Sequence, residues 1–236
     1  MQVKKYRQAE QSFIIQGAKT VNETLASDFK IWTLLGTKEY LSSLDAAILG
    51  KVTEIIEVSG EELTSVSAVE SNNSALAVVK MRPPGMIQLP TDTFTLVLDD
   101  IRDPGNLGTI IRTAEWYGIS NIIASMETTD FYNPKVISAT MGSFLRANLF
   151  YMNLEEFLST VSLPIYGAFL AGENVHTTKF PAGGLIIIGN ESNGISAGVE
   201  RFVTHRITIP RFGNAESLNA STATAIVLDN LRRLRF

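Results

Sequence analysis

The chain has 236 residues, 45% hydrophobic and 19% charged, a composition that suits a folded protein of one large or two small domains. With no cysteine, disulfides and thiolate chemistry are excluded; only two histidines argue against a histidine-built zinc site, so no metal is expected. A net charge of −4 argues against a protein that coats nucleic acid by charge alone, and leaves only local patches such as Lys4, Lys5 and Arg7 or Arg232, Arg233 and Arg235.

The lead-in to Phe13-Ile14-Ile15 is too short for a secretory signal, and no apolar run approaches the roughly 20 residues that cross a bilayer. A cytoplasmic protein with no membrane partner is the simplest expectation. Phe13-Ile14-Ile15 reads as a short strand and Val21 to Ala26 as a helix. Ile31-Trp32-Thr33-Leu34-Leu35-Gly36 and Leu76-Ala77-Val78-Val79-Lys80 read as further strands. Met81-Arg82-Pro83-Pro84-Gly85 has linker composition, because paired prolines break helix and strand alike. Domains at 1–85 and 93–236 follow. Beyond the linker, buried apolar runs at 94–98, 121–124, 166–170, 185–188 and 206–209 alternate with amphipathic helices, the pattern of a parallel sheet.

The helix after Asp103-Pro104-Gly105-Asn106 carries Leu107, Ile110, Ile111, Ala114 and Tyr117 on one face, with Asn106 as its expected N-cap. Arg112 falls on the opposite side, pointing away from its own core. The last helix is expected to bury Leu218, Ile226, Val227, Leu231 and Leu234, with Ser217 as its cap. Three polar turns stand at strand ends: Asp103 to Asn106, Gly189-Asn190-Glu191-Ser192-Asn193-Gly194, and Ser217-Leu218-Asn219-Ala220-Ser221 after Ile207-Thr208-Ile209-Pro210. Ligands of open parallel sheets bind beyond the carboxyl ends of strands, so these turns are expected to form one composite site. Neither a dinucleotide fingerprint nor a P-loop is present, and no nucleophile elbow occurs.

These three turns resemble the motifs of the SpoU (TrmH-like) RNA ribose 2′-O-methyltransferases of the SPOUT superfamily. The first runs from Asp103 to Ala114, the second from Ile188 to Ile195, and the third joins Ile207–Pro210 to Ser217–Ser221. Met141-Gly142-Ser143 is similar to the family's segment between motifs. Phe13 to Val21, with the strand ending Val78-Val79-Lys80, resembles the family's small N-terminal α/β/α sandwich for substrate recognition, although Gln16 stands where relatives have an acidic residue.

The resemblance implies an α/β protein whose C-terminal parallel-sheet domain is tied in a trefoil knot. It implies a homodimer with the active site shared across the interface, and methylation of an RNA ribose 2′-hydroxyl by S-adenosylmethionine, with rRNA slightly favoured over tRNA as the substrate. By position, Gly189, Ile209 and Leu218 would contact the methyl donor, while Asn106, Arg112, Glu191, Ser217 and Asn219 would form the polar catalytic set. A guanidinium makes a poor base, so Arg112 is read as a clamp on a substrate phosphate that relays the proton. Glu191 is expected to hold Arg112 or a backbone amide, and Ser192 stands where a positive φ would strain it. The alternatives are an inactive RNA-binding relative and a knotted methyltransferase acting on a base.

Overall fold

A computed structural model describes residues 1–67, 74–83 and 85–233. The chain divides into two compact units, 1–83 with 130–145, and 84–129 with 146–236.

The first unit runs α1 (Lys4–Glu10), β1 (Ser12–Gln16), α2 (Ala18–Leu25), β2 (Ile31–Gly36), α3 (Lys38–Ser42), α4 (Ala46–Leu49), β3 (Glu54–Glu57), α5 (Gly60–Val66) and β4 (Ala75–Lys80). Its sheet has the order β1-β4-β2-β3, with β4 antiparallel to both neighbours and β3 parallel to β2 at the edge. The strand alternation sends Ile14 and Leu76 to one face, where Leu63 of α5 packs on them. Phe13 points to the other face.

There Phe13 meets residues from far along the sequence. Tyr132 lies 4.6 Å from the Phe13 ring and Phe144 lies 5.8 Å from it, edge-on. Both belong to the stretch 130–145, which includes the helix α7 (Pro134–Thr140). The buried Arg7 guanidinium holds Asp130 at 2.5 Å and donates to the carbonyls of Met1 and Gln2 at 3.0 and 2.8 Å. Arg7 is therefore a structural cation and leaves the N-terminal basic cluster with Lys4 and Lys5. The linker composition at 81–85 points to a second domain over 93–236; apolar packing on Phe13 draws 130–145 out of that span into the first unit.

The second unit comprises β5 (Phe94–Leu98), α6 (Pro104–Trp116), β6 (Asn121–Ala124), β7 (Asn148–Tyr151), α8 (Leu154–Leu158), β8 (Ile165–Asn174), β9 (Gly184–Ile188), α9 (Ala197–Glu200), β10 (His205–Thr208) and α10 (Ala220–Arg233). All six strands are parallel, in the order β10-β8-β9-β5-β6-β7. Every residue of β5 and β9 is buried, as expected of strands covered on both faces. Leu107, Ile110, Ile111 and Ala114 of α6 are buried, as their spacing predicts, and Gly108 joins them.

Helix α10 buries Val227 and Leu231, together with Ala220, Thr224, Leu228 and Asn230, while Ile226 is half-buried. Arg232 donates to the carbonyls of Tyr117 and Gly118 at the end of α6, at 2.7 and 3.3 Å, and Arg233 donates to Asn230 at 2.8 Å. These two arginines tie down the chain's own groups. Leu234, Arg235 and Pro84 lie outside the described residues.

Phe144 is fully buried against Phe13 and Phe29. Phe144→Ala is expected to cost about 3–5 kcal/mol, read as a lower urea midpoint. An unchanged midpoint would mean that 130–145 does not pack in the first unit.

Candidate functional site

Parallel strands deliver their carboxyl ends to one edge of a sheet. Leu98 of β5 pairs in register with Ile188 of β9, so the turns after these strands leave the sheet at the same level. The Asp99 amide still donates to the Ile188 carbonyl at 2.9 Å. From there Asn190 ties the two turns together. Its Nδ2 donates to the Asp100 carbonyl at 2.8 Å, and its Oδ1 accepts from the amides of Ser192 and Asn193 at 2.9 and 3.1 Å. Its backbone exchanges hydrogen bonds with Gly194. The buried Asp99 carboxylate accepts from the Ser196 amide at 2.7 Å, closing the far side of the loop.

Asp100 adopts φ +60, which aspartate tolerates better than most residues. Its carboxylate grips Arg102, whose pKa is raised by that hydrogen bond and by the adjacent charge.

Three side chains join all three turns. Asn219 donates from Nδ2 to Asn106 Oδ1 at 2.8 Å, and Asn106 donates from its own Nδ2 to Glu191 Oε1 at 2.5 Å. The carboxylate only accepts, so it fixes the orientation of both carboxamides. Asn219 Oδ1 meanwhile accepts from the amides of Ser221 and Thr222 at 2.9 and 3.3 Å, the bonds of an N-cap on α10. One residue thus starts a helix and anchors the relay.

Several expectations change. The N-cap of α6 is Asp103, whose carboxylate accepts from the Asn106 amide at 2.7 Å, with Pro104 in the first turn. The side chain of Asn106 is thereby released for Glu191 and Asn219. The Asp-Pro pair carried this signal, since proline is favoured at the first helical position and aspartate just before it. Ser217 is exposed and outside the relay, and the cap of α10 falls two residues later, on Asn219. Glu191 holds the Asn106 carboxamide and not Arg112.

Ser192 has no positive φ; the left-handed residue of that loop is Gly194, at φ +67. Gly189 is required for a different reason, because a Cβ there would stand 2.2 Å from the Gly194 carbonyl carbon. The two arms of the loop cross at that point. Leu218, expected in the core, is 45% exposed, and Ile209 is only half-buried. Leu218 adjoins Asn219 of the relay in sequence, Gly189 lies two residues before Glu191, and Ile209 follows β10. The hub residues Asp99, Asp100 and Asn190 were missed as site-builders, since their bonds run to backbone atoms that only the folded register supplies.

Arg112 lies on the solvent side of α6, and its guanidinium has no protein partner among the described residues. Every other described arginine is engaged, in ion pairs (Arg7, Arg82, Arg102, Arg146, Arg201, Arg206) or on carbonyl and carboxamide oxygens (Arg211, Arg232, Arg233). Trp116, one turn on, shares its face and is 82% exposed. No group of three or more His, Cys, Asp or Glu residues able to hold a metal occurs among the described residues.

The sequence model of the SpoU rRNA Methylase family matches residues 93–229, the span that carries all of these turns. The chain belongs to this family. A model of the MRM3-like substrate binding domain matches residues 1–77. A Bacillus subtilis relative, 23S rRNA (guanosine(2553)-2′-O)-methyltransferase RlmP, is 29% identical over 98% of this chain and 93% of its own length. A 23S rRNA (uridine(2479)-2′-O)-methyltransferase from Streptomyces viridochromogenes is 28% identical over 94% of this chain and 83% of its own. Among solved structures, an AdoMet-bound rRNA methyltransferase from Sinorhizobium meliloti aligns with a TM-score of 0.86 at 30% identity, covering 100% of this chain and 92% of the other.

In this SpoU chain the relay makes a distinct demand of Asn106. Asn106→Asp would set a second carboxylate against Glu191, and two such groups at hydrogen-bond range do not both ionise. One folded-state pKa then rises above its unfolded value, so the variant loses stability as pH climbs from about 4. Melting curves are expected to show a deficit against wild type of about 1–3 kcal/mol at pH 8 that narrows at pH 5. A gap independent of pH would contradict the relay.

Proposed function

We propose that this chain transfers a methyl group from S-adenosylmethionine to a ribose 2′-hydroxyl of ribosomal RNA, as a cytoplasmic homodimer whose active site is shared between protomers. The observation that carries this reading is Arg112, an exposed guanidinium without a protein partner among the described residues, on the same helix as Asn106 of a carboxamide relay that joins three strand-end turns. Both named relatives act on a ribose, in one case of a guanosine and in the other of a uridine, which fits a site that addresses the sugar and not the base.

The residues present fit the donor. Apolar surface at Ile209 and Leu218 is left partly open, as a planar adenine would require, and Gly189 lets its own turn close on Gly194. Bound S-adenosylmethionine supplies a methyl group already activated on a sulfonium. The chain therefore has to orient the hydroxyl and dispose of its proton, and needs no metal. Asn106 and Asn219 each keep one amide hydrogen free after making the relay, and these hydrogens are donors for the ribose oxygens. Arg112 forks onto the substrate phosphate, whose oxygen takes the 2′-hydroxyl proton. Ser217, exposed next to Leu218 in sequence, has no hydrogen-bond partner among the described residues and offers its hydroxyl to the substrate.

The exposed face of α6 with Arg112 and Trp116 is the surface offered to a second protomer, so that Arg112 of one serves the donor held by the other. The sheet order, with β9 inserted between β8 and β5, is consistent with a trefoil knot in the C-terminal part. The first unit is assigned to RNA recognition, in keeping with the substrate-binding match to residues 1–77.

The test uses methyl-labelled S-adenosylmethionine and unmodified large-subunit rRNA transcript. A ribose methyl protects the neighbouring phosphodiester, so label is expected in an alkali-resistant dinucleotide, with turnover unchanged by EDTA. Label in alkali-labile mononucleotides would overturn the assignment. Arg112→Lys keeps the charge but loses the fork, and is expected to lower kcat/KM at least roughly tenfold without moving the melting temperature. Near-normal turnover in that variant would sink the phosphate clamp.

A further inference from the structure

Trp32 is 43% exposed although it lies in β2, whose neighbours on either side, Ile31 and Thr33, are buried. The cause is a break in register. Ile31 pairs with Val79 and Thr33 with Val78, so β2 advances two residues while β4 advances one, and Trp32 is the extra residue of a β-bulge. Bulges re-aim a side chain, and they concentrate near functional sites. Here the bulge turns an indole outward while the strand's inward residues stay in the core.

Two cations lie over the indole. Lys80 Nζ lies 4.9 Å from the ring centroid and Lys30 Nζ lies 6.0 Å from it. Neither ammonium is in an ion pair among the described residues, where all six ion pairs use arginine. Lys80 gives one hydrogen to the Glu10 carbonyl at 3.1 Å and keeps two. Glu54 of β3, paired with Thr33, accepts from the Thr33 hydroxyl at 3.0 Å. A tryptophan serving only to cap the sheet would turn inward and need no lysines. An open ring flanked by two uncompensated cations, in a chain of net charge −4, matches a ligand that alternates flat aromatic faces with negative charges.

We propose that Trp32, Lys30 and Lys80 form a stacking site for an unpaired nucleotide of the RNA substrate, the indole taking the base and the two ammonium groups its flanking phosphates. This rests on the reading of the chain as an enzyme that acts on RNA, and locates where the first unit grips that RNA. Bases held in duplex are unavailable to such a ring, so the site selects loops, bulges and single strands.

The experiment measures anisotropy of a labelled short oligouridylate and of a duplex of equal length, alongside methylation kinetics on unmodified large-subunit rRNA transcript. Trp32→Ala is expected to weaken oligouridylate binding about tenfold and to raise KM with kcat little changed, while Trp32→Phe stays within about threefold of wild type and reports that the fold is intact. Replacing Lys30 and Lys80 by Gln is expected to flatten the salt dependence by about 0.7 per lysine. Wild type should prefer the single strand to the duplex. Methylation with an RNA affinity and KM indifferent to Trp32 would overturn the patch alone. Oligouridylate binding that depends on Trp32, with no methyl transfer to any RNA, would support the patch and overturn the proposed function.

Discussion

A carboxamide between a donor and a carboxylate is the constraint on which the second unit's chemistry depends. Asn106 accepts from Asn219 and donates to Glu191, so residues separated by 113 and 85 positions along the chain are held in one line. Such a relay exists only because the parallel sheet delivers the ends of β5 and β9 at the same level, and because other groups have taken over the local duties. Asp103 caps α6, so Asn106 need not; Asn190 braces its own loop, so Glu191 need not. Each functional side chain is freed by a neighbour that does the structural work.

Much of this was legible in the residues. The strands β5, β6 and β9 are fully or nearly fully buried, and such strands read as unbroken apolar runs whose edges are sharp in sequence. The position of Arg112 followed from helical period alone, since Leu107, Ile110, Ile111 and Ala114 leave it on the other side. What failed was anything set by a hydrogen bond across the chain. Asn106 and Asp103 are both good capping residues, and only the proline between them marks Asp103 as the cap of α6. Ile209 and Leu218 looked like core by hydrophobicity; hydrophobicity does not say whether a neighbouring element arrives to cover them.

The first unit was harder to read. The edge strand β3 is exposed throughout, and α3 and α4 are each a turn or so long, so neither period nor burial marks them in the sequence. The stretch 130–145 shows the deeper difficulty. Its aromatic and apolar residues announce that it is buried, yet which core receives it depends on Phe13, Phe29 and Arg7, more than a hundred residues earlier. Division of a chain by linker composition finds where the backbone is permissive and is blind to a segment that returns.

The central claim is that the three turns act as one unit because the relay couples them. A double-mutant cycle on S-adenosylmethionine affinity, by calorimetry with Glu191→Ala, Asn219→Ala and the pair, measures that coupling directly. Among the described residues these side chains are linked through Asn106, so the account predicts an interaction energy of about 1 kcal/mol or more. Losses that add to within about 0.3–0.5 kcal/mol would mean that the turns hold the donor independently, and would contradict it.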